Sequence, residues 1–566
     1  MQTQTTAKNK ALAGAVGALL ALAALGAAPA RADSGDEGEI TAALRHRVQN
    51  IVVIYAENRA FDNLYGHFPG ARGLNEVLDR NGNPRAGYHP QLDRDGTVLS
   101  SLPPTWGGVT AAGVTPVVTQ AQSVGLPNAP FSVETAFTAQ SGVTLSTFTV
   151  TRDLYHRFYE NQMEIDGGAN DKFAAWADAG GLTMGHFDYS QSALYRLAQK
   201  YTLADNFFAG AFGGSFLNHQ YLICACAPEY PNADAPPSGA HPTIAVLNQD
   251  AAGNYLPQLT TAATSPASAM DGPPAYVLSG NVTPLNYFGD GTYRAVNTMQ
   301  APYQPSGNKP VDANGTDLLY ASPAANTTLP PQTQTNIGDE LSAQGISWKW
   351  YAGSWNAALA DGTQPPSAAR TVIYTPSSAR GAPDFQPHHA PFNYFADLDP
   401  VTHAADRSAH LQDYNDLVAD AAAGTLPAVS FYKPQGNLNQ HEGYANLDDG
   451  DAHIASLIAA LQASPQWKHM VIVVTYDEFG GVWDHVAPPK GDLIGPGTRI
   501  PALVISPLAR RGFVDHTQYD TASVLRLITR RFGLSVLPGL TVRDQALKAN
   551  GQSPMGDLTH ALSLED

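Results

Sequence analysis

Two segments of this 566-residue chain limit its fold more than anything else in it. "IVVIYAENRAFDNLYG" (51–66) and "MVIVVTYDEFGGVWDHVAPP" (470–489) both open on an unbroken apolar run. Neither run alternates polar with apolar residues, so each reads as a strand buried on both faces. Shorter apolar runs at 347–351, 427–432 and 500–506 read as further strands, and "QSALYRLAQKY", "DAHIASLIAALQAS" and "TASVLRLITRRF" carry a helical pattern. Strands alternating with helices predict an α/β fold with a mainly parallel central sheet and helices on both faces.

Both long strands end strangely. The first runs straight into Glu57 and Asn58 and the second into Asp477 and Glu478, with no turn residue to lead the chain out to water. Ligands in such folds gather beyond the carboxyl ends of the strands. A buried carboxylate is costly unless it is paired or binds a cation. A helix cap or an ion pair with Arg59 would explain one such strand end. Two of them, hundreds of residues apart, point to a divalent metal shared by Glu57, Asn58, Asp477 and Glu478. Hydrolysis also needs a nucleophile. "FAGAFGGSFLNHQYLICA" sets Ser215 after two glycines at the start of a helical run, where free N–H groups and the helix dipole suit a phosphate. Taken alone, Ser215 is an ordinary helix cap. Histidines stand at 156, 388, 389, 441 and 485, all in polar or aromatic surroundings. Near a dianionic phosphate they would be held protonated, ready to steady charge or protonate a leaving oxygen.

Lys8 and Lys10 precede the apolar stretch "ALAGAVGALLALAALGAA", and "ARA" at 30–32 is a small-residue cleavage site. Residues 1–32 therefore read as a secretory signal peptide, which predicts export to the periplasm or beyond. No later run is long enough to span a membrane. Residues 33–566 read as a single catalytic domain. Within it a Pro-, Asn- and Thr-rich segment at about 228–335 forms a loop-rich insertion. There is no internal repeat. The net charge of −18 argues against nucleic acid as a partner, although a local pocket can still be positive. The two cysteines, Cys224 and Cys226, are too close for an unstrained bridge and are expected as small buried thiols.

Read in order, "IVVIYAENRAFDNLYG", "FGGSFLNHQYL", "ISWKWYAG", "QPHHAPFNYF", "HEGYA", "TYDEFGGVWDHVAPP" and "GPGTRIPALVISPLARRGFVDHTQYD" resemble a bacterial phosphoesterase family. That family holds AcpA-type acid phosphatases and phosphocholine-specific phospholipases C, within the alkaline-phosphatase-like superfamily. The resemblance runs from about 48 to 535. It implies that Glu57, Asn58, Asp477 and Glu478 hold one divalent metal, with Ser215 as nucleophile and further ligand. It implies that His156, His389, and His441 or His485 surround the phosphoryl group. The metal stays open among Mg, Ca, Mn, Zn and Fe. The reaction implied is double displacement through a phosphoserine.

Serine rather than threonine at the nucleophile, the absence of a twin arginine in the leader, and an end soon after the last core helix favour an acid phosphatase acting on small phosphomonoesters. The alternative is a phospholipase C acting on phospholipid head groups. For that, Trp348, Trp350, Tyr351 and Trp355 would offer a choline cage, unless they are simply a packed strand.

Overall fold

The computed structural model describes residues 34–235, 243–375 and 382–564. The apolar leader read as a signal peptide lies outside the described residues. The chain divides into two compact units, residues 1–39 and 40–566. Of the first, only the opening residues of helix α1 (Ser34–Arg47) are described. Everything below concerns the second. Among the described residues no helix is long and apolar enough to cross a membrane.

Eight strands make the central sheet. In chain order they are β1 (Asn50–Ala56), β2 (Thr202–Ala204), β3 (Trp348–Ala352), β4 (Leu411–Asp413), β5 (Val429–Lys433), β6 (Met470–Tyr476), β7 (Ala502–Ile505) and β8 (Phe513–Asp515). Across the sheet they run β8–β2–β7–β6–β1–β5–β3–β4. β1 lies parallel to β5 on one side and β6 on the other, and β3 and β4 continue the parallel set. Only β7 runs against its neighbours. The expected mainly parallel sheet is therefore present. Every residue of β1 and β6 is buried, which requires cover on both faces.

The helices that matter below are α2 (Phe158–Ile165), α3 (Ala193–Lys200), α4 (Ser215–Cys224), α5 (Tyr414–Ala423), α6 (Leu447–Ala463) and α7 (Ser523–Phe532). Local chemistry starts several of them. The side chains of Ser192, Asp413 and Asn446 accept backbone N–H groups in the first turns of α3, α5 and α6. α4 differs, because all ten of its residues are buried and no side chain caps it.

Register brings two strand ends to one level. Ala56 pairs with Tyr476, and Ile54 with Tyr432. The next residues out on β1 and β6 are Glu57 and Asp477, side by side at the carboxyl edge of the sheet, while Lys433, the last residue of β5, stands level with Tyr55 and reaches Glu57 with its side chain.

Two expectations are resolved here. Cys224 and Cys226 are joined in a disulfide rather than being separate thiols. The backbone makes this feasible: Ala225 ends α4 in the left-handed region (φ 51°), and the two Cα atoms come within 5.1 Å, inside the range a bridge spans. The aromatic cluster is core. Trp348, Trp350, Tyr351 and Trp355 are all buried, with Trp348 stacked on His410 and Trp350 on Phe431. They line no open cage. Segment 228–335 is largely irregular, with one hairpin pairing Leu247–Gln249 and Tyr255–Leu259.

Candidate active site

The strand ends are locked to each other before any ligand is considered. Asn58 N–H donates to Asp477 Oδ1 (3.0 Å), and Arg59 N–H to the Glu478 carbonyl (3.0 Å). Asn58 adopts a left-handed φ of 60°, a strained conformation that asparagine tolerates better than most residues. Gly480 sits directly over it (φ +65°), where a Cβ would lie 2.4 Å from the Asn58 carbonyl oxygen. Arg59 does not neutralise Glu57. It pairs with the buried Glu442 and donates to the Gln440 carbonyl.

Ser215 opens α4 beneath these strand ends. Its Oγ–H donates to Glu478 Oε1 (3.2 Å) and reaches Asn58 Oδ1 (3.4 Å). Gly213 (φ +77°) lets the loop before it pass against α2, where a Cβ would meet Phe158 N at 2.3 Å. His156 Nδ1 lies 2.5 Å from the Leu154 carbonyl and takes the N–H in that tautomer. Its Nε2 then faces Asn58 Nδ2 (3.4 Å) and Glu478 Oε1 (3.6 Å).

Deeper in, lone pairs converge without partners. Glu57 Oε2, Asp477 Oδ2, His219 Nε2 and His389 Nε2 are buried and make no hydrogen bond. His389 Nε2 stands 2.8 Å from Glu57 Oε1, close but unbonded, and Lys433 forms an ion pair with the same oxygen. The rings of His219 and His389 stack 4.7 Å apart. His219 gives its Nδ1–H to the Ser215 carbonyl (2.7 Å), which leaves Nε2 as a bare acceptor. Glu57, His219 and His389 each offer an atom within 4.8 Å of the others. His441 joins from the side, Nε2 3.8 Å from Glu57 Oε2.

The electrostatics agree with this geometry. Burial and the nearby Asp477 hold the Glu57 carboxyl well above the usual carboxylate range, against the pull of Lys433. Burial and Asp477 raise Glu478 in the same way. Three buried carboxylates thus share one ammonium. A divalent cation bound among Glu57, Asp477, His219 and His389 fits the orphaned donors and offsets that excess.

The expectation of charged histidines concerns a bound phosphate; in the structure itself the buried rings favour the neutral form. Burial pushes His219, His389 and His441 well below the ordinary imidazole value, and neighbouring cations push the same way. Neutral imidazole suits a metal ligand rather than a charge donor. His156, with a side chain 18% exposed, keeps contact with solvent.

His485 is placed elsewhere. Its Nδ1 is bound by Asp62 (2.6 Å) and its Nε2 by Glu76 (3.3 Å), beside the buried Arg499–Asp484 pair. The structure does not bring it to Ser215. Glu57, Asn58, His156, Ser215, His389, His441, Asp477 and Glu478 are gathered together. His219 and Lys433 belong with them and were missed by sequence reasoning. His219 falls one helical turn after Ser215, and Lys433 ends the run "PAVSFY" as the acids end theirs. Either offset was a readable signal.

Phospholipase C A of Mycobacterium tuberculosis (strain ATCC 25618 / H37Rv) is 24% identical over 555 residues, covering 91% of this chain and 77% of that protein. Phospholipase C B of the same strain is 32% identical over 169 residues, covering 25% of this chain. That match spans only 31% of phospholipase C B. Among solved structures, the PsFucS1 sulfatase from Pseudoalteromonas sp. matches with a TM-score of 0.31 at 9% identity, covering 94% of this chain and 80% of that one. The model of the Phosphoesterase family matches residues 48–535, almost the whole of the larger unit, and the chain belongs to that family.

Proposed function

We propose that this protein is an exported, metal-dependent acid phosphatase that hydrolyses small phosphomonoesters through a phosphoserine at Ser215. The observation that carries the reading is the Ser215 hydroxyl at the head of α4, hydrogen-bonded to Glu478 beside a buried set of unpartnered acid and imidazole donors. When bound by Glu57, Asp477, His219 and His389, with Asn58 and Glu478 adjacent, a divalent cation supplies neutralisation of the charge that builds on phosphoryl oxygens.

The chain's own groups account for the rest. Ser215 Oγ forms the bond to phosphorus as the bond from phosphorus to the alcohol oxygen breaks. The serine proton passes along its hydrogen bond to Glu478 Oε1. His156, the solvent-connected imidazole, takes a proton from water and delivers it to the departing oxygen. A water then attacks the phosphoserine from the vacated side and gives its proton to His156, while Glu478 returns the serine proton to Oγ as the bond from Ser215 to phosphorus breaks and phosphate leaves. The N–H groups at the start of α4 hold the phosphoryl oxygens meanwhile. The leader at 1–32 is removed on export in this reading, and 33–566 works as one catalytic unit.

A second reading is phospholipase C, favoured by the names of the relatives above. Initial rates on p-nitrophenyl phosphate and p-nitrophenylphosphorylcholine, with wild type and Ser215→Ala at about pH 5–6, separate the two. The expected result is a monoester preference abolished in the variant. A diester preference lost in the variant transfers the protein to phospholipase C. Full activity in the variant removes Ser215 from the mechanism.

A further inference from the structure

The recess in front of Ser215 has a volume of about 270 Å³. Its wall includes His156, Arg157, Phe216, Thr298 and His388, and no carboxylate lines it. Arg157 is unusual there. Its guanidinium donates to Ser279 Oγ, to the Ser279 carbonyl and to Asn281 Oδ1 (2.6 Å), all neutral oxygens. Among the described residues it forms no ion pair. The loop carrying these acceptors is fastened to α2 as well, since Asn297 Oδ1 accepts Phe158 N–H (2.9 Å) and Asn297 Nδ2 donates to the Gly280 carbonyl (3.2 Å). A fixed cation, held by neutral acceptors and coupled to the buried Glu160 without an ion pair among the described residues, therefore stands at the mouth of the catalytic recess of a chain with net charge −18. A quaternary ammonium group wants several aromatic faces or a carboxylate. This recess offers one phenyl ring, two imidazoles, no carboxylate and a guanidinium.

We propose that Arg157 sets leaving-group specificity, so that the alcohol released carries an anionic substituent, a carboxylate or a second phosphate, and a quaternary ammonium is disfavoured. The inference rests on the phosphomonoesterase reading and narrows it to a substrate class. Arg157 acts on the far end of the substrate and takes no part in bond making. Arg157 is the one guanidinium or ammonium among the described residues that line the recess.

The test uses phosphate release from four esters on the full chain: phenyl phosphate, 4-carboxyphenyl phosphate, 1,4-phenylene bisphosphate and 4-(trimethylammonio)phenyl phosphate. For each, kcat/KM of Arg157→Met is divided by that of wild type, which cancels leaving-group basicity. Relative to phenyl phosphate, the ratio is expected to fall about five- to tenfold for both anionic esters and to rise for the ammonium ester. A fall for only one anionic ester identifies which substituent is recognised. Arg157→Lys keeps the charge and should retain most of the selectivity. Ser279→Ala weakens the clamp without touching the charge and should do the same, which separates electrostatic recognition from loop packing. Equal ratios for all four esters overturn the proposal while leaving the phosphatase reading intact. Failure of wild type to release phosphate from any of them overturns that reading instead. Should Arg157→Met not fold, the wild-type preference for the anionic esters must shrink as NaCl rises. A salt-independent preference sinks the idea.

Discussion

Behind the Ser215 recess lies a buried floor of Glu57, Asp477, His219 and His389, none of them in the recess wall and none more than 3% exposed. The rim is made of Arg157, Thr298 and His388, all partly open to solvent. The floor residues leave β1, β6 or α4, or pack directly on them, and their positions follow from sheet register. The rim depends on loops fastened to each other by side-chain hydrogen bonds. In the proposed reading the floor would fix what reaction is feasible, and the rim would select what undergoes it.

Substitutions sharpen this division, and the largest effect is expected at Ser215, the proposed nucleophile. Ser215→Ala should lower kcat/KM on every phosphoester by about 10⁴-fold or more. A loss confined to one substrate would make Ser215 a rim residue and break the comparison. Glu57→Gln should come next. Bound metal, read by elemental analysis of the dialysed protein, should fall by more than about 100-fold in affinity, and the metal-dependent part of Tm should vanish. His219→Ala tests the residue that only the structure revealed. It should weaken metal affinity by about 10–100-fold while leaving the far-ultraviolet spectrum unchanged. Normal metal content would remove it from the floor.

The smallest effect concerns a buried acid outside the floor. Glu164 on α2 is fully buried with both oxygens unpartnered, and burial together with the nearby Glu160 holds its carboxyl well above the usual range. A carboxyl raised in the folded state binds its proton more tightly folded than unfolded. It therefore contributes stability below the unfolded value of about 4.3 and loses that contribution as pH rises toward the folded one. Glu164→Gln should match wild type near pH 4 and exceed it in stability by on the order of 1 kcal/mol at higher pH. A difference that does not change with pH in urea unfolding would refute the assignment.

The floor was largely legible in the sequence because apolar strands that end on acids are rare and cheap to spot. β1 and β6 were readable to the residue. β2, β4 and β8 were not, since three-residue strands leave no periodicity to detect. His219 escaped because a histidine inside a buried helix looks like packing until its Nε2 is seen to lack a partner. His485 was misplaced because nearness in sequence to Asp477 and Glu478 says nothing about direction once Gly480 and Gly481 turn the chain. The rim was invisible. Arg157 and Ser279 lie 122 residues apart, and only tertiary structure brings them together.

The hydrogen bond between Asn58 and Asp477 joins residues separated by 419 positions. The two halves of the floor therefore do not coexist in any short nascent segment. In the proposed reading the cation site would come into being only when β6 has docked beside β1, so metal loading would be a late event that reports on finished topology.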